Sequence, residues 1–258
     1  MNRLSVCIIT LNEEENLPRA LASLQEIADE IVVVDSGSTD RTPEIAREYG
    51  ACWFERAWSN YADQKNYAAE CASNDWVFSM DADEELSSPL KTSLLAWKKH
   101  TPEYSVYEIS RKTFYLGAWI EHSGWYPDFQ RRLYRRDEAE FFGTVHESLR
   151  HAGKIGRLSG DLLHYTVRSF EEHEANVERY TTLAAQQMFA EGKRNWKGAM
   201  WFAPAWSWFQ NFVLRGGFMD GYRGALISKM AARSVRLKYA KLGKLVRAIQ
   251  DGSHEAAQ

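Results

Sequence analysis

The sequence predicts an α/β fold built on a mostly parallel, doubly wound sheet, and three observations predict it. Apolar, β-rich runs alternate with helix-spaced segments through the first hundred residues, acidic residues follow the ends of two of those runs, and the rhythm breaks after about Thr101. "LSVCIIT" and "EIVVVDS" read as strands on either side of "EENLPRALASLQEI", in which Leu17, Ala20, Leu21 and Leu24 recur at helical spacing, so the first unit is βαβ. "TPEIAREYG" follows as a second helix, with Thr42 as N-cap, Pro43 at the first helical position and Gly50 beyond the end. "ACWFE" is a third strand, "YADQKNYAAECA" a third helix, "DWVFSMD" a fourth strand and "SSPLKTSLLAWKK" a capped fourth helix. Parallel neighbours need such crossover helices, and here each strand has one.

Beyond Thr101 the segments are short strands, "SVYEISRKTFY" and "FQRRLYRR", and then a long amphipathic helix from near Phe170 with Val177, Tyr180, Ala184 and Met188 on one face. At 258 residues and 45% hydrophobic, the chain is long and apolar enough for one sizeable core with an appended lobe. Cys7, Cys52 and Cys71 are odd in number and lack CxxC spacing, so buried thiols in a reducing compartment are expected. The opening "MNRLSVCIITLNEEEN" reads as a strand and not as a secretory signal, which implies a cytoplasmic protein.

The formal net charge of −3 conceals a division. Of 32 Lys and Arg, twelve lie between Lys193 and Arg247; of 35 Asp and Glu, one does, Asp220. The remainder carries 20 basic and 34 acidic residues, so the tail is a different kind of surface.

Asp35 ends the second strand, and Asp81, Asp83, Glu84 and Glu85 follow the fourth. In open parallel sheets ligands bind beyond the carboxyl ends of the strands, so both groups are expected at one rim. Like charges crowded there repel unless a cation neutralises them, and a hard divalent ion, Mg²⁺ or Mn²⁺, takes one or two carboxylates plus phosphate oxygens. The alternative reading is that Asp83, Glu84 and Glu85 are solvated residues ahead of a helix, favoured by its dipole.

Together "IITLNEEENLPRALASL", "EIVVVDSGSTDRT", "QKNYAAECASNDWVFSMDADE" and "GTVHESL" resemble the inverting family-2 glycosyltransferases of the GT-A fold, over roughly Leu4 to Leu149. Within that family the resemblance is to bacterial lipopolysaccharide core glucosyltransferases. It implies a Rossmann-like catalytic domain over 1–168, with a nucleotide-sugar half at 1–100 and an acceptor half at 101–168, and a helical aromatic and basic extension at 169–258. It implies that Thr10, Asn12, Glu13, Asp35, Lys65, Asn66 and Asp81 bind the nucleotide sugar and that Asp83 ligates the metal, together with His164, which resembles the downstream histidine that ligates metal in some GT-A enzymes; a lone His in a strand is also commonly structural. It further implies Glu147 as the catalytic base, because an acceptor hydroxyl must lose a proton as it attacks, with His146 either orienting it or packed. The implied donor is UDP-glucose and the implied acceptor a lipid-linked saccharide. The QxxRW pattern of processive synthases is absent, so one sugar per encounter is expected. A transferase using another nucleotide sugar or a protein acceptor, and a nucleotide-sugar-binding membrane scaffold without turnover, are the alternatives.

Arg131, Arg132, Arg135 and Arg136 are candidates for holding a diphosphate or a phosphorylated acceptor, and Trp119, Trp125 and Tyr126 for stacking on acceptor sugars; hairpin solvation and core packing are the respective alternatives. "AMWFAPAWSWFQNFVL" is sixteen residues, interrupted by Pro204 and polar side chains, and falls short of the roughly twenty needed to span a bilayer. Its aromatic residues followed by basic ones suit a peripheral contact with an anionic membrane, with core packing or a subunit contact in a homo-oligomer as the alternatives. No nucleic-acid recognition motif accompanies the basic tail.

Overall fold

A computed structural model describes residues 1–143, 147–167 and 169–255, with side chains as far as Ile249. The chain forms two compact units: Met1–Lys112 with Asp128–Tyr165, and Thr113–Pro127 with the chain from Thr166 onward.

In the first unit, β1 (Leu4–Thr10), β2 (Glu30–Asp35), β3 (Cys52–Glu55) and β4 (Trp76–Asp81) are parallel in the order β3-β2-β1-β4. They are connected by α1 (Leu17–Leu24), α2 (Thr42–Glu48) and α3 (Tyr61–Cys71). The expected helix spacing of α1 is realised, since Leu17, Ala20, Leu21 and Leu24 are all fully buried against β1 and β4 residues such as Val6 and Phe78. Asn60 caps α3 by accepting the Asp63 N–H at 3.0 Å. At α2, however, Thr42 is the first helical residue and not the cap. Asp40 accepts its N–H at 3.0 Å, and the Thr42 hydroxyl is drawn to the Glu13 N–H at 2.8 Å.

The parallel pattern stops where the crossover helices stop. After β5 (Glu84–Leu86) and α4 (Ser88–Lys99) come β6 (Val106–Tyr115), β7 (Ala118–Trp119), β8 (Asp128–Arg135), β9 (Ala139–Phe142), β10 (Ser148–His151) and β11 (Ile155–Val167). The sheet continues β4-β8-β6-β11-β5, with β8 antiparallel to β4 and to β6, and β5 antiparallel to β11. β9 and β10 form a separate antiparallel pair. Of the three thiols Cys7 is buried, but Cys52 is exposed, contrary to expectation, because β3 is the edge strand.

The second unit is helical: α5 (Phe170–Ala190), α6 (Lys197–Phe209), a π-helical turn Gln210–Leu214, a 3₁₀ turn Gly217–Asp220 and α7 (Gly221–Glu255). Ala185, Trp196, Leu242 and Val246 form its core, and a Cβ at Gly243 would lie 2.7 Å from the Trp196 ring, so only glycine lets the indole approach α7 that closely. The inward stripe of α5 is one position away from the expected one, with Thr181 and Ala185 buried while Tyr180 is exposed. Packing on α7 decides that rotation, through Lys241, whose ammonium donates to the Glu178 carbonyl and the Thr181 hydroxyl. Trp119 packs edge-on to Phe114, and Trp125 to Tyr115, within this unit. Among the described residues no helix is long and apolar enough to cross a membrane.

Candidate active site

The parallel register brings the candidate residues to one rim. Thr10 is opposite Asp35 across β1 and β2, and Ile9 is opposite Asp81 across β1 and β4, so both acidic groups do lie at the carboxyl ends of the two strands that flank β1. Asp35 is buried and its carboxylate shapes the loop that follows: Oδ2 accepts the N–H groups of Gly37 at 2.8 Å and Ser38 at 2.6 Å. Gly37 has φ of +100°, a conformation that favours glycine. Asn12 braces the same loop, donating its N–H to Ser38 Oγ at 2.7 Å and accepting the Thr39 N–H at 2.8 Å. Glu13 accepts from the Asn16 side chain at 2.7 Å, and Thr10 Oγ1 is buried with no hydrogen-bond partner among the described residues.

Successive side chains on α3 point about 100° apart, so Gln64, Lys65 and Asn66 serve three directions. Gln64 donates to Ser36 Oγ and the Arg56 carbonyl. Asn66 both donates to the Phe141 carbonyl, at 2.9 Å, and accepts its N–H, at 2.8 Å, tying α3 to β9. Lys65, only 3% exposed, reaches Asp81 Oδ1 at 3.0 Å and Glu147 Oε1 at 2.9 Å.

One of the four arginines the sequence offered as diphosphate or phosphate holders completes the arrangement, and it does so by pairing with buried acids. Arg132 on β8 is 4% exposed and places Nη2 2.8 Å from Asp81 Oδ2 and 2.7 Å from Glu84 Oε1. Glu84 is fully buried and its other oxygen accepts the Asp81 N–H at 2.9 Å, so it is not a solvated residue ahead of a helix. The five side chains form a line of alternating charge, Glu147, Lys65, Asp81, Arg132, Glu84. Burial opposes ionisation of Asp81, but Arg132 and Lys65 together override it and hold the carboxyl well below the usual carboxylate range. Burial pushes Glu84 up against the pull of Arg132, and Asp81 adds to the rise.

The other arginines of "QRRLYRR" are engaged within the fold: Arg131 donates to the Leu149 carbonyl at 2.8 Å, Arg135 pairs with Asp137 at 3.0 Å, and Arg136 donates to the Ala72 carbonyl. The signal that could have separated Arg132 from them is absent from periodicity, because Arg132, Leu133 and Tyr134 are all buried and β8 is covered on both faces there.

Asp83 and Glu85 turn elsewhere. His164 is the register partner of Glu84 across β5 and β11, and its Nε2 lies 3.2 Å from Asp83 Oδ2. Glu85 accepts from the Tyr165 hydroxyl at 3.1 Å. Among the described residues no three His, Cys, Asp or Glu side chains converge as a metal cluster. A carboxylate oxygen and an imidazole nitrogen at this separation fit two positions around a divalent ion whose remaining ligands are water and phosphate oxygens. His146 lies outside the described residues.

The Glycosyl transferase family 2 model matches residues 5–153, which contain the whole charge line and Asp83. This chain belongs to glycosyl transferase family 2. It is therefore a glycosyltransferase, and its parallel half with an antiparallel continuation is the GT-A fold. It is 32% identical over 257 residues to the lipopolysaccharide core biosynthesis glycosyltransferase LpsC of Rhizobium meliloti, covering 92% of this chain and 93% of that one. It is 31% identical over 259 residues to an uncharacterized glycosyltransferase of Rickettsia typhi, covering 95% of this chain and 88% of that one. Among solved structures, S. aureus TarS 1–349 in complex with UDP-GlcNAc is similar at 14% identity and a TM-score of 0.47, covering 97% of this chain and 92% of that one. Mycobacterium tuberculosis glucosyl-3-phosphoglycerate synthase, in complex with Mn²⁺, UDP and glucosyl-3-phosphoglycerate, is similar at 18% identity and a TM-score of 0.46, covering 71% and 78%.

Proposed function

We propose that this glycosyltransferase moves glucose from UDP-glucose, with inversion, onto the inner core of a lipid-linked lipopolysaccharide precursor at an anionic membrane surface, aided by Mg²⁺ or Mn²⁺. The observation that carries the reading is the line Glu147–Lys65–Asp81, in which a partly exposed carboxylate is held 2.9 Å from a buried ammonium that is itself anchored on the strand-end acid. Similarity to LpsC, a lipopolysaccharide core biosynthesis glycosyltransferase, supports the lipopolysaccharide core as the acceptor.

The chemistry is a single displacement. The acceptor oxygen forms a bond to the anomeric carbon, the bond from that carbon to the diphosphate oxygen breaks, UDP leaves with the electron pair, and the acceptor proton passes to Glu147. Lys65 fixes the position of that carboxylate, and positioning a base in this way is worth about two to four powers of ten in rate. Asp83 and His164 would hold the divalent ion, which when bound supplies charge neutralisation for the departing diphosphate. Thr10, whose hydroxyl has no partner among the described residues, and Asp81 line the nucleotide side of the rim, while Asn12, Glu13 and Asp35 hold the loops around it. Incubation of purified protein with UDP-glucose, Mn²⁺ and a heptose-containing core acceptor tests the proposal; metal-dependent release of UDP coupled to glucosylated product is expected. Equal UDP release in excess chelator, or no transfer with UDP-glucose while another nucleotide sugar is consumed, overturns it in part or whole.

A further inference from the structure

Helices of folded proteins turn their apolar stripe inward, and α6 does the reverse. Its solvent-facing stripe is Trp201, Phe202, Ala205, Trp206 and Phe209, of which Trp201, Phe202 and Trp206 are 69%, 80% and 58% exposed. Its half-buried stripe is Ala199, Met200, Ala203, Pro204 and Ser207, small or polar except for one Met. The exposed apolar surface continues through Leu214 of the π-helical turn to Phe218 and Met219 of the 3₁₀ turn. Ring contacts tie these turns together, with Trp208 stacked on Phe212 at 4.9 Å and Phe212 edge-on to Phe218 at 6.4 Å. An apolar surface this continuous marks something that covers it.

Charge decides what. Twelve Lys and Arg and one acid lie between Lys193 and Arg247; three of the twelve pair with acids outside that stretch, Lys193 with Glu191, Arg233 with Glu174 and Lys241 with Glu178, and the one acid within it, Asp220, is occupied by the N–H groups of Glu121 and His122 and by the His122 ring. A second copy of this chain seated on the face would bring two surfaces of the same sign together, whereas an anionic bilayer would neutralise them. Large aromatic rings flanked by basic residues also match the headgroup boundary, where each ring is part apolar and part wet. We infer that the outer face of α6 and the turns after it is an interfacial docking surface for an anionic lipid bilayer. It lies in the headgroup boundary and does not span. The inference deepens the proposed lipid-linked acceptor and rests on that reading for its purpose, though not for its geometry.

Co-sedimentation of the full chain with phosphatidylglycerol/phosphatidylethanolamine vesicles and with phosphatidylcholine vesicles tests it, at low and high salt, beside Trp201→Ser/Phe202→Ser. Wild-type protein is expected to bind the anionic vesicles and to release as salt rises. The double variant should bind roughly tenfold more weakly, with an unchanged melting temperature and unchanged turnover on a delipidated, water-soluble acceptor. Absence of wild-type binding, binding indifferent to the two substitutions, or a solution oligomer that the substitutions dissociate overturns the docking surface. Loss of all glycosyl transfer with vesicle binding intact overturns the function proposed above and leaves the docking surface standing.

Discussion

The two most conspicuous segments of the chain, the acidic run after β4 and the aromatic run of α6, break the usual rule of burial in opposite directions. In the first, Asp81, Glu84, Lys65 and Arg132 are charges drawn into the protein; in the second, Trp201, Phe202 and Trp206 are large apolar rings left outside it. Buried charge is tolerable only when each member is paired, because desolvation costs several kcal/mol per ion, so the first segment is rigidly specified. Exposed rings carry no comparable desolvation cost that pairing must offset, and they contribute little to the fold. The first region should therefore be sensitive to single atoms and the second nearly indifferent.

The largest effect expected is on chemistry at the exposed end of the charge line. Glu147→Gln should lower transfer by about two to four powers of ten with donor affinity nearly intact. Isothermal titration with UDP-glucose beside single-turnover kinetics checks both halves, and collapse of binding with persistent transfer would make Glu147 a binding residue. At the buried end, Arg132→Leu removes the close cation of the fully buried Glu84 and leaves Asp81 to Lys65 alone, and should cost about 3–5 kcal/mol in a denaturant melt. Asp83→Asn should weaken metal-dependent UDP binding about tenfold or more without a comparable loss of stability, since a neutral amide is a poor ligand for a hard cation.

A smaller, pH-dependent effect is expected at His173 in α5, whose ring nitrogen meets the Tyr115 hydroxyl at 2.8 Å and whose pKa is pushed below 6.5 by burial, with Glu174 opposing. The folded state resists protonation there while the unfolded chain does not, so the unfolded state binds more protons as pH falls. The stabilisation is complete above about pH 6.5, and it is lost as pH drops from there through the lower folded value. His173→Gln should flatten that part of the stability-pH curve. Smallest of all, Trp201→Ser/Phe202→Ser should change unfolding free energy by no more than about 0.5 kcal/mol, the range for surface substitutions. A loss rivalling that of Arg132→Leu would mean that the rings belong to a core, and the contrast between the two regions would fail.

By itself the sequence determined the parallel half of the fold and the location of its rim, because strand and helix periodicities are local and each crossover helix constrains its neighbours. It also determined that the aromatic run cannot span a bilayer, since length and Pro204 decide that without any partner. Only the tertiary structure decided which acids are buried. Asp81 and Arg132 are 51 positions apart and Lys65 and Glu147 are 82 apart, and no periodicity links residues at such separations. The same holds for Asn66, which β9 draws into backbone hydrogen bonds, and for Asp35, which its own loop uses. The outward face of α6 was undecided for the converse reason: its sequence is apolar nearly all round, so the side turned to solvent depended on which small residues could approach α7, a matter of packing and not of pattern.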